Sequence, residues 1–197
     1  MNYTSAQLYE KARHSSQRSA SMAWVTLDRQ AERGKAFLSF DILTGDLLFV
    51  DRISYHFVDP KVGDGFVFRT GAISELPAQL PPGTPPDQYY IKRLVGKPGD
   101  KLEIRDFTLY RNGAPITGAA AFDHNAKREN NYPGYRAIGR LAPTRTVEVP
   151  RDGFFALGDN SASSLDGRFW GFVPNKDVVG RPLLVYFPLT SHWGPSR

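Results

Sequence analysis

The sequence predicts a mainly β fold, and three observations carry that prediction. Apolar residues come in short runs rich in aromatic and β-branched side chains, with turn residues between them. The 15 prolines and 18 glycines are spread along the chain, which divides it into many short elements. No stretch has the sustained 3.6-residue periodicity of a long amphipathic helix, and no internal repeat stands out.

In chain order, residues 4–18 predict one short helix, capped by Thr4 or Ser5, with Leu8, Tyr9 and Ala12 on one face. The pattern changes at Met22. "DLLFVDRISYHF" (Asp46–Phe57) follows Gly45, and "DGFVFRT" (Asp64–Thr70) follows the turn "DPKVGD". "QYYIKRLVG" (Gln88–Gly96) is a third strand, and "KLEIRDFTLYRNGAPI" (Lys101–Ile116) folds back at Asn112-Gly113, a strong hairpin signal. "RTVEVP", "GFFALG" and "RPLLVYFPL" continue the series. Between them, Glu75–Gln88 reads as a stiff, proline-rich surface loop. Residues 117–142 are polar and turn-rich. They read as an insertion, a small second β lobe hung on a core built from 42–116 and 143–197, with 1–41 as an N-terminal segment.

Composition narrows the function. A chain of 197 residues suits one domain with an insertion, and 41% hydrophobic residues put it among folded proteins. The net charge of +5 comes from 25 basic residues interleaved with 20 acidic ones, without a basic arm, which argues against a nucleic-acid partner. The absence of cysteine excludes disulfides and thiolate catalysis. His14, His56, His124 and His192 are scattered without a metal-ligand spacing. No apolar run reaches the ~18 residues of a membrane span, and the first 20 residues lack the apolar core of a secretion signal.

The chemistry gathers around a lysine. In "YYIKRLV", Tyr90, Lys92 and Leu94 share one face of the strand, and Ile91, Arg93 and Val95 the other. Two readings are open: Lys92 and Arg93 snorkel to water from an edge strand, or one of them is desolvated. A desolvated lysine loses its proton near neutral pH, which an arginine cannot do. Its neutral amine then takes the proton of a serine hydroxyl, making a nucleophile without histidine or aspartate. A second polar segment, "GDNSASSLDGRFWGFVP" (Gly158–Pro174), follows the apolar strand "GFFAL" and sets Asp166 and Arg168 two residues apart.

Taken together, "GDLLFVDR" (Gly45–Arg52), "YYIKRLVGKPGD" (Tyr90–Asp100) and the Gly-Asp-Asn…Ser-x-Asp-x-Arg block from Gly158 resemble, in order, the blocks of bacterial type I signal peptidases. These are membrane-bound serine–lysine endopeptidases, and the resemblance covers about residues 42 to 189. It implies that Lys92 is the general base and that Ser164 hydrogen-bonds and orients its amine. Asp159, Asn160, Asp166 and Arg168 would hold the loop carrying Ser164, with Asp166 and Arg168 as an ion pair. Gly167 stands where the family often has serine.

The family's nucleophile block, Ser-x-Ser-Met-x-Pro-Thr-Leu, is matched in part by "SASMAWVTL", which would make Ser21 the nucleophile, with the Ser19 hydroxyl and backbone N–H groups stabilising the oxyanion. The proline is missing, Trp24 and Val25 add a residue, and Ser21 lies 24 residues before Gly45, a longer gap than usual. Ser39 is nearer but lacks the motif. Two readings therefore stay open: Ser21 attacks, or the serine and the membrane anchor lie upstream of this sequence.

The resemblance implies removal of signal peptides from secretory preproteins at the extracytoplasmic (periplasmic) face of the bacterial inner membrane, next to the membrane surface, without metal or cofactor. The alternative is a catalytically incomplete module that binds extended peptides or a membrane surface.

Overall fold

The computed structural model describes residues 47–85, 87–187 and 194–195. The expected helix over 4–18 lies outside the described residues, as do Ser21 and Ser39.

The described strands form two antiparallel sheets. The larger holds β1 (Leu47–Asp51), β2 (Gly65–Arg69), β3 (Tyr89–Gly96), β8 (Gly153–Leu157), β9 (Phe172–Pro174), β10 (Val178–Phe187) and β11 (Gly194–Pro195). Its order is β1-β10-β2-β3-β8-β9, with β11 beside β10. β10 passes from one partner to another, pairing with β2 through Val178 and Gly180 and with β1 from Arg181 onward. At that switch the two backbones nearly touch. A Cβ on Gly180 would lie 2.1 Å from the Asp51 carbonyl oxygen, so only glycine fits.

β8 reads "GFFAL", continuous apolar residues without alternation, because both of its faces are covered. Phe154 and Ala156 face one core, together with Phe66, Phe68, Leu94 and Trp170. Phe155 and Leu157 face a second core, with Val95, Leu102, Leu109 and Phe122. β3 divides its side chains in the same way, Leu94 to the first core and Val95 to the second. The period of two that the sequence implies for "YYIKRLV" is therefore present in the fold.

The second sheet has the order β6-β5-β4-β7, from β4 (Lys101–Arg105), β5 (Thr108–Arg111), β6 (Ala114–Pro115) and β7 (Val147–Glu148). "KLEIRDFTLYRNGAPI" therefore turns twice. The second turn is the expected Asn112-Gly113. The first, at Asp106-Phe107, holds both residues at positive φ, 44° and 64°, as a tight primed hairpin turn requires. Nothing in the dipeptide announces that turn. Tertiary contacts hold it: the Phe107 carbonyl accepts the Tyr135 N–H at 2.8 Å, and the Arg128 guanidinium lies over its ring at 4.9 Å.

Residues 117–142 contain no strand. They hold α1 (Ala120–Lys127) and a 3₁₀ turn at Gly139–Leu141, so the strands of the second sheet come from the flanking residues instead. Asp100, which closes "GKPGD", fastens the two sheets' connection. Its buried carboxylate accepts from Lys97 N–H at 2.7 Å, Arg111 Nε at 2.7 Å and Asn112 Nδ2 at 2.8 Å. Among the described residues, no helix is long and apolar enough to cross a membrane.

Candidate active site

Lys92 stands on β3 opposite Phe66 of β2, half-buried on the face that Leu94 continues into the first core. Its Nζ donates a hydrogen bond to Ser164 Oγ at 3.0 Å and lies 5.8 Å from the centre of the Tyr90 ring. Burial holds the Lys92 amine below the ordinary lysine pKa of 10.5. Attraction to Asp166 and Asp159 opposes that shift, and repulsion from Arg168 adds to it. An open groove of about 410 Å³ runs past these groups, lined by Gly65, Ile91, Lys92, Asp159, Ser163 and Ser164 among others.

Ser164 reaches Lys92 because the loop from Gly158 to Arg168 is tied down at several points. The innermost tie is Arg168, whose side chain is fully buried. All five of its N–H groups have acceptors. Nε and Nη2 grip Asp166 at 2.9 and 2.8 Å, and Nη1 reaches Ser161 Oγ at 2.6 Å and the Arg136 carbonyl at 3.3 Å. The second Nη2 bond goes to the Ser161 carbonyl at 2.9 Å. Asp166 in turn accepts the Gly158 N–H at 3.0 Å and caps α2 (Gly167–Trp170) by accepting the Arg168 N–H. A buried ion pair holds a fold only when its remaining valences are filled, and here they are.

The outer tie is Asp159. Its carboxylate takes a two-pronged grip from Arg93, Nε to Oδ1 at 2.7 Å and Nη2 to Oδ2 at 2.6 Å. Arg93 follows Lys92 in sequence but points to the other side of β3, so alternation sends one side chain to Ser164 and the next to Asp159. Asn160 is exposed and local in its reach: its Oδ1 accepts the Ala162 N–H at 3.2 Å, shaping the turn. The structure therefore brings Lys92, Ser164, Asp159, Asp166 and Arg168 together, with Asn160 on the rim.

Sequence reasoning passed over four residues here. Arg93 reads in the sequence only as a neighbour of Lys92, although "KR" on a strand places the two cations on opposite faces. Ser161 and Asn125 carry no local signal for this role, since the contacts that tie the 117–142 segment to the loop span 25 and 34 residues. Gly158 is the fourth. A Cβ there would sit 2.0 Å from Ser164 Oγ and 2.5 Å from Ser164 Cβ, so the missing side chain is the space Ser164 occupies. Gly158→Ala is expected to displace Ser164 from Lys92 and to lower stability by about 1–3 kcal/mol, the usual range for overpacking. Denaturant unfolding checks this, and an unchanged midpoint would mean the loop yields freely.

The family described as signal peptidase, peptidase S26, matches residues 31–187, a span that starts past Ser21 and contains Ser39, Lys92 and Ser164. A probable signal peptidase I-1 from Synechocystis is 32% identical over 76% of this chain and 66% of that protein. A signal peptidase I from Leptolyngbya laminosa is 32% identical over 73% of this chain and 61% of that protein. A solved signal peptidase I from Enterococcus faecalis is 30% identical, covering 63% of this chain and 97% of that one, with a TM-score of 0.42. The chain thus spans about two thirds or less of the length of the two curated relatives. Matched along most of its length, with relatives a third identical over about three quarters of it, the chain belongs to the signal peptidase family, peptidase S26.

Proposed function

We propose that this chain is a serine endopeptidase of the signal peptidase I type, removing signal peptides from secretory preproteins with Lys92 as general base. The observation that carries this reading is the 3.0 Å hydrogen bond from Lys92 Nζ to Ser164 Oγ, made by a partly desolvated amine facing an open groove. A neutral amine that spends one N–H on Ser164 has its lone pair held in a defined direction. The attacking serine, Ser21 in this reading, gives its proton to that lone pair while its Oγ bonds to the scissile carbonyl carbon. The resulting ammonium returns the proton to the departing amine as the peptide bond breaks. Water, deprotonated by the same lysine, then releases the acyl group and regenerates the serine. Asp159, Asn160, Asp166 and Arg168 hold Ser164 in place, and the charges of Asp159, Asp166 and Arg168 also act on the Lys92 amine.

The substrate enters as an extended strand, with small residues at the first and third positions before the cut. β8 pairs with β3 only between Arg93 and Gly96. Among the described residues, then, no strand occupies that side of Tyr89–Lys92, where an added strand would lie beside the lysine. A membrane surface is the second partner, at the extracytoplasmic face of the bacterial inner membrane. Ile53, Phe57 and Val58 support it, large apolar side chains standing 69%, 83% and 57% exposed within one turn region. In this reading the core over 42–116 and 143–197 supplies Lys92 and Ser164, the 1–41 segment supplies Ser21, and 117–142 braces the core.

The test is cleavage of a preprotein by the purified chain, beside its Ser21→Ala and Lys92→Met variants. Loss of cleavage in both variants supports the dyad. Peptide binding without any cleavage by the unaltered chain would favour the incomplete module. The pH profile is a separate prediction. Because desolvation lowers the Lys92 pKa, kcat/KM rises with pH through that lowered value and levels off above it, as the ammonium below it has no lone pair. A profile with no rise anywhere between acidic and alkaline pH would remove Lys92 as the base.

A further inference from the structure

We propose that Asn125, in the 117–142 segment, is a positioning residue for the Lys92–Ser164 pair, acting through the main-chain carbonyl of Asp159. The inference rests on the peptidase reading above.

Asn125 lies on α1 and is completely buried. Its Nδ2 donates to the Ala121 carbonyl at 2.9 Å, one turn back on its own helix, and to the Asp159 carbonyl at 3.0 Å. Its Oδ1 is also buried and has no hydrogen-bond partner among the described residues. A half-satisfied buried amide is a poor choice for stability, because the orphaned oxygen gives up its hydration for nothing. Leucine has nearly the same shape and no polar atom, and the other buried residues of α1, Ala121 and Phe122, are apolar. What the amide supplies that leucine does not is a hold on Asp159.

That hold completes a set. The Gly158 N–H is taken by Asp166, the Asp159 carboxylate by Arg93 and the Asp159 carbonyl by Asn125, so the base of the loop is gripped from three directions. Ser164 is five residues further on. The same segment grips the loop a second time at Ser161, whose Oγ accepts the Arg136 N–H at 2.8 Å. The charged groups around the Lys92 amine are Asp166, Arg168 and Asp159. Slackening Asp159 moves one of these charges and admits water to the amine. The polar segment is thus the outer clamp of the reactive loop.

Asn125→Leu and Asn125→Ala in the full chain separate positioning from structure. Both remove the donor, but leucine fills the site and alanine leaves a cavity, so their stabilities diverge. The expected result is that both lower kcat about tenfold, the scale of one lost hydrogen bond, with KM little changed. Both also shift the pH at which the Lys92 amine titrates, followed by NMR on lysine-labelled protein, while Asn125→Leu keeps the wild-type melting midpoint. Activity that tracks the melting midpoint across the two variants would overturn the proposal, as would a folded Asn125→Leu protein with unaltered kcat and Lys92 titration. If the unaltered chain cleaves no preprotein, the peptidase reading fails. The Lys92 titration still decides the role of Asn125, and an unmoved titration refutes it.

Discussion

On the peptidase reading, Lys92→Met is expected to end preprotein cleavage and leave the fold at least as stable as before. The rate is expected to fall by about a hundred- to ten-thousand-fold, the range over which a positioned general base contributes. Among the described residues near Ser164, Arg93 cannot replace it, because it stays protonated and is committed to Asp159. The stability expectation follows from the direction of the Lys92 pKa. Folding lowers it, so the native state binds this proton less tightly than the unfolded chain does. Stability therefore rises with pH between the lowered value and the ordinary 10.5, and falls as pH drops through that window. At neutral pH the lysine is a burden on the fold. Methionine keeps most of the aliphatic stem and removes the charge, so the melting midpoint should hold or rise while activity disappears. A Lys92→Met protein that still cleaves would dismiss the dyad. One that loses activity only by unfolding would make Lys92 a structural residue.

How far the sequence could be read depends on the distance over which each feature is decided. Strands β2, β3, β8 and β10 were readable because each is a run of apolar or alternating residues whose period shows within a few positions. Asn112-Gly113 was readable because the dipeptide itself prefers positive φ. Asp106-Phe107 adopts the same conformation for reasons lying elsewhere, in Tyr135 and Arg128, and no local pattern encodes those contacts. The 117–142 segment was seen as a distinct piece by its polarity, but its helix is short and its mates are remote. Phe122 packs into the second core and Asn125 reaches Asp159, 34 positions on. At the site, Lys92 and the 158–168 loop stood out by residue type and spacing together. Gly158 shows how little spacing alone conveys: its importance is an empty volume, visible only once Ser164 is seen filling it.

The largest stability effect is expected at Arg168. Its guanidinium and the Asp166 carboxylate are both completely buried, 2.8 Å apart, and the five N–H groups have no water to turn to. Arg168→Ala leaves the Asp166 carboxylate charged and uncompensated in the interior and strips acceptors at Ser161 and Arg136 of their donor. Breaking such a pair typically costs about 3–5 kcal/mol. For a domain of this size that corresponds to a fall in melting midpoint of roughly 6–20 °C. Arg168→Lys should recover little, because one ammonium with three hydrogens cannot span the carboxylate, a hydroxyl and two carbonyls that a planar fork serves. The pair Arg69–Asp87 is the control, since its side chains are 52% and 44% exposed and water replaces whatever either partner loses. Arg69→Ala should leave the midpoint close to wild type. Thermal unfolding of the three variants decides the matter. If Arg168→Ala melts with Arg69→Ala, the loop does not depend on its buried pair. If it melts far below and Ser164 no longer meets Lys92, then the buried, fully bonded Arg168 and the reactive lysine belong to one structure, in which the cation that cannot give up its proton holds in place the serine that orients the one that can.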